Sequence, residues 1–85
     1  MNTQPFPTRA AEEAAIARYA AKAARMVRHD WRQAGLSLAD APATEIYDDC
    51  RDAAYDVLGD VAGAYDLVDM LLIDVTEAAV TLVMS

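Results

Sequence analysis

An all-α fold, a small three-helix bundle, is predicted for this 85-residue chain by three features. From Arg9 to Ala34 neither glycine nor proline interrupts the sequence, the composition leans on alanine, and apolar residues recur at helical spacing along three successive segments. Helices are expected at about 9–34, 42–58 and 60–84, with self-association of the bundle. Eighty-five residues make one domain, near the lower size at which a core stands without metals, disulfides or oligomerisation. Residues 1–7 hold two prolines and no periodicity and read as a flexible arm, leaving 8–85 as the helical domain.

Thr8 suits the N-cap of helix 1, and Glu12 and Glu13 sit where the positive end of the helix dipole favours them. Gly35 is the C-terminal stop. At about 100° per residue, Arg18, Lys22, Arg25, His29 and Arg32 fall on one stripe. Opposite them lie Ile16, Ala20, Ala23, Val27 and Ala34, flanked by Tyr19, Met26 and Trp31. A face made mostly of alanine lets another helix approach closely.

Leu36 to Ala41 is a connection, with Ser37 or Asp40 as candidate caps and Pro42 suited to a first helical turn. Helix 2 carries Ile46, Cys50, Ala53, Ala54 and Val57 on its apolar side, with Tyr47 and Leu58 at the margins. Glu45, Asp49, Asp52 and Asp56 share a narrow arc, with Asp48 beside them. Gly59 and Gly63 weaken helix and Asp60 suits a new cap, yet Val57, Val61, Ala64, Val68 and Leu71 keep one phase through the segment. A continuous helix over both segments is improbable in so small a domain, so a break or sharp kink is placed near Gly59.

Helix 3 is apolar almost all round. Leu67, Val68, Leu71, Val75, Ala78 and Leu82 form one face, while Met70, Ile73, Val80 and Met84 share the other side with Asp66 and Glu77. Two neighbouring helices cover only part of such a surface, so Met70, Ile73, Val80 and Met84 are the candidate oligomer contacts of a dimer.

Charge is sorted along the chain. Residues 1–34 carry a net +3 and residues 35–85 a net −10, for −7 overall. The acidic balance argues against direct nucleic-acid binding, although the basic stripe with Tyr19 and Trp31 keeps that reading as a second alternative. Asp69, Asp74 and Glu77 interrupt the apolar C-terminal stretch, which speaks against a membrane span. One cysteine, Cys50, excludes an internal disulfide and fits a reducing, cytoplasmic setting; it is read as a small buried apolar side chain. No apolar leader is visible at the N-terminus.

Chemistry-bearing patterns are absent. His29 lacks the Glu three residues before it that helical di-metal sites use, Ser37 and Ser85 have no local histidine, and neither Gly59 nor Gly63 opens a phosphate loop. No metal, cofactor or catalytic role is expected. What remains is the carboxylate row Glu45, Asp48, Asp49, Asp52 and Asp56, whose spacing of about 5–6 Å is of the order of phosphates along a nucleic-acid strand. The expected function is a non-enzymatic binding module. In its sharpest form this is a small acidic inhibitor, of the type phages and mobile elements direct against host defence, that meets a basic nucleic-acid-binding surface. The alternative is a homo-oligomeric structural or regulatory subunit in which the basic stripe of helix 1 neutralises the acids of helix 2, within or between protomers.

Overall fold

The computed structural model describes residues 6–61 and 64–85. Three helices pack against one another: α1 (Arg9–Gln33), α2 (Ala43–Gly59) and α3 (Ala64–Val83). A short 3-10 turn, Leu38–Asp40, lies in the connection between α1 and α2, and no strand occurs among the described residues. This is the expected all-α three-helix bundle, elongated to 48 × 20 × 17 Å. Met1–Pro5 of the expected arm lie outside the described residues, whereas Phe6 is half-buried against the core.

Local chemistry explains most helix ends. The Thr8 hydroxyl accepts from the Ala11 amide at 3.0 Å, capping α1. At its other end Gly35 takes φ +73°, the Gly35 amide donates to Arg32 and the Leu36 amide to Trp31, a full Schellman closure. α2 begins differently from expectation. Pro42 stands at the N-cap, outside the first turn, and its carbonyl accepts from the Glu45 and Ile46 amides at 3.1 and 3.2 Å. Neither Ser37 nor Asp40 caps it: Ser37 precedes the 3-10 turn without a side-chain bond and Asp40 is part of that turn. A residue before proline avoids helical ψ, so Ala41 is extended and the two helical pieces stay separate.

The helix ends at Gly59, where a break is expected, but Asp60 does not open α3. It is the C-cap of α2, where the Asp60 amide donates to Val57 and the Val61 amide to Leu58, tightening the last turn. Gly59 keeps a negative φ, so this end needs no left-handed residue. The Gly63 reading lies outside the described residues.

The buried faces follow the expected phase with corrections. In α1, Ala20, Ala23 and Val27 are buried together with Ala15, Ala24 and Trp31; Ile16 is only half-buried, and Ala34, past the helix end, is exposed. In α2 the predicted face is buried and Leu58 joins it fully. In α3 the core residues are Leu67, Leu71, Val75, Thr76, Ala79 and Val83, while Val68 and Ala78 are half-buried and Leu82 is exposed. Steps of four advance about 40° around a helix, so the seam through Leu67, Leu71, Val75, Ala79 and Val83 winds across α3, as a helix covered by two neighbours requires. The Thr76 hydroxyl donates to the Leu72 carbonyl, so this buried polar group is satisfied within its own helix.

Side-chain contacts fix the helix directions. Trp31, late in α1, meets Asp49 of α2, and Met26 shares a hollow with Asp56, so α1 and α2 run antiparallel. The Arg28 guanidinium donates to the Leu82 carbonyl, placing the ends of α1 and α3 together. That bond also supplies the cation that the last turn of α3 lacks in its own sequence.

Candidate functional site

Glu45, Asp48, Asp49, Asp52 and Asp56 are all exposed, along about 16 Å of α2 at 1.5 Å per residue. They do not stand on a bare convex helix. They form one wall of a groove between α1 and α2. At one end Glu45, Asp48 and Asp49 face Asp30, Trp31, Ala34 and Leu36; further along, Asp49, Asp52 and Asp56 face Met26, Val27, Asp30 and Trp31, with Ala53 at the base. Buried Val27, Ala53 and Trp31 give the groove an apolar floor between acidic margins.

Two groove residues were missed by sequence reasoning. Asp30 enters the sequence argument only through the net charge of residues 1–34, yet it projects from α1 into the same groove. Trp31, taken as a flank, is buried, and its Nε1 donates to Asp49 Oδ2 at 2.6 Å. A buried tryptophan signals that a partner exists. Only the packing of α1 on α2 selects Asp49 as that partner, and the bond anchors one member of the row to α1.

Beneath the row, Cys50 is fully buried, and its thiol is pushed up to about 11, first by burial and then by the Asp49 charge. A thiol held protonated this way is a poor nucleophile. Among the described residues, no three of His, Cys, Asp and Glu come together to hold a metal ion.

The basic stripe is exposed at Arg18, Lys22, Arg25, His29 and Arg32. Among the described residues none of these cations forms an ion pair; the ion pair present is Arg9 with Glu13, 3.3 Å apart at the start of α1. Among the described residues, then, no cation of the stripe is in direct ion-pair contact with the α2 row of its own chain. Arg28 lies off the stripe, engaged with Leu82. Of the candidate oligomer contacts, Met70, Ile73 and Met84 are exposed, while Val80 is half-buried against the core. Among the described residues, no helix is long and apolar enough to cross a membrane.

The architecture places the chain among small all-α three-helix bundles. Compared with family models, curated proteins and solved structures, it matches none.

Proposed function

We propose that this protein is a non-enzymatic binding module whose carboxylate-walled α1–α2 groove engages a basic surface on another protein. The finer reading is an acidic inhibitor that occupies a nucleic-acid-binding surface in place of the nucleic acid. One observation carries it: Glu45, Asp48, Asp52 and Asp56 stand exposed in one row, joined by Asp30 and Asp49, with no cation of the described residues paired to them. Like charges at helical spacing cost a few tenths of a kcal/mol per pair, and a basic partner would reverse that cost and release the counterions of the row.

The test is affinity capture from host cells with wild-type protein and with a variant carrying Asp48→Asn, Asp49→Asn, Asp52→Asn and Asp56→Asn. Asparagine keeps an oxygen for the Trp31 donor, so the fold is preserved while four charges go. The expected result is a nucleic-acid-handling protein held by the wild type, displaced by salt or by nucleic acid, and lost with the variant. Capture that is indifferent to the four substitutions overturns the reading.

A further inference from the structure

We propose that two copies of this chain pair about a two-fold axis parallel to the bundle, so that the basic stripe of each α1 lies along the acidic row of the other copy's α2. Stripe and row adjoin on one side of the molecule. A shallow hollow lined by Lys22, Arg25, Met26, His29 and Asp30 borders the groove lined by Met26, Asp30, Asp49, Asp52 and Asp56. Met26 and Asp30 belong to both and form the ridge between cations and carboxylates.

The charges also match in height. The Trp31–Asp49 bond sets the antiparallel register, and counting outward along both helices brings Arg32 level with Asp48, His29 with the span between Asp49 and Asp52, and Arg25 close to Asp56. A two-fold axis along the bundle preserves height and exchanges left for right. Cations of one copy then face carboxylates of the other, and the reverse contact forms at the same time. A two-fold axis in the same face but across the bundle would set acid on acid and base on base.

Such a surface is self-complementary, which is what an isologous dimer requires. Half-buried Tyr19 and Met26, seven residues apart on one edge of α1, supply an apolar seam near the axis. Asp30, on the ridge, would meet its own counterpart as a like charge and limit the affinity. The pairing does not rest on the inhibitor reading, since a chain without any target would still dimerise; where a target exists, it and the second copy compete for one row.

Sedimentation velocity on the purified full chain tests this. In about 20 mM salt a monomer–dimer equilibrium is expected, weakening at least about tenfold by about 500 mM, where charges are screened within a few ångströms. A variant with Lys22→Glu and Arg25→Glu, and another with Asp52→Lys and Asp56→Lys, should each be monomeric alone and form a heterodimer when mixed. Asp30→Asn should tighten the wild-type dimer. A chain that stays monomeric at low salt overturns the proposal. So does a dimer that survives high salt or either exchange, which would place the contact on α3 at Met70 and Ile73. Folded exchange variants, checked by circular dichroism, that do not pair on mixing also overturn it; if either variant fails to fold, the wild-type salt series and Asp30→Asn decide alone.

Discussion

α1 and α3 line the same core with different materials. α1 contributes Ala15, Ala20, Ala23 and Ala24, all essentially without solvent exposure, and closes the contact with Val27 and Trp31. α3 contributes Leu67, Leu71, Val75 and Val83. α1 thus meets the core with small side chains that leave no exposed surface, and α3 meets it with large ones. A core built this way is sensitive to opposite errors on its two sides: deletion of atoms from α3 and addition of atoms to α1.

The largest effect is expected from Leu71→Ala. Leu71 is 1 % exposed, so truncation leaves a cavity and should cost about 2–5 kcal/mol, read as a fall in the urea midpoint without a change in slope. Ala23→Leu makes the converse error. Its added methylenes have no space, and a loss of about 1–3 kcal/mol is expected by the same measurement. A neutral result for Ala23→Leu would mean that the alanine contact is loose, and the contrast between the helices would fail.

Helix ends sharpen the comparison with a substitution that changes sign. Gly35→Ala places a side chain at φ +73° and should destabilise by about 1–2 kcal/mol, although no atom obstructs the new Cβ. Gly59→Ala meets no obstruction either, at a negative φ inside the last turn of α2, and should stabilise by about 0.4–1 kcal/mol. Thermal melts of the two variants, expected on opposite sides of wild type, check this.

A further effect, confined to alkaline pH, belongs to Cys50. Its thiol pKa rises from 9.0 to about 11 in the folded chain, so the unfolded state loses the proton first. Stability should therefore be unaffected by this group below pH 9, fall as pH rises from about 9 to about 11, and level off above that. Urea midpoints of wild type and Cys50→Ala across this range should differ in slope by that contribution.

Much of this is legible in the sequence alone. Thr8, Gly35 and the helical phase of Ala20, Ala23, Val27, Ile46, Cys50, Val57 and Leu71 are local signals, set by capping chemistry and a fixed angular step. Where local signals competed, the reading slipped. Asp60 is a good N-cap residue, but the α2 ladder reached it first and used its amide to close the helix. Leu82 carries the phase of the α3 face, yet the buried seam turns about 40° with each step of four residues and by the last turn has moved on to Val83.

The groove shows the same division more clearly. Sequence alone determined that the basic residues of α1 and the acids of α2 form stripes opposite apolar faces, because amphipathic spacing leaves them nowhere else to go. It did not determine what lies beside each stripe. Only the antiparallel packing of α1 on α2 brought Asp30 into line with the acidic row, gave Asp49 to the indole of Trp31, and left the cations on the far side of a ridge. Helical periodicity fixes a side chain's direction relative to its own axis, whereas its neighbours depend on the rotation and register of two axes, and those are set by the fit of the whole core.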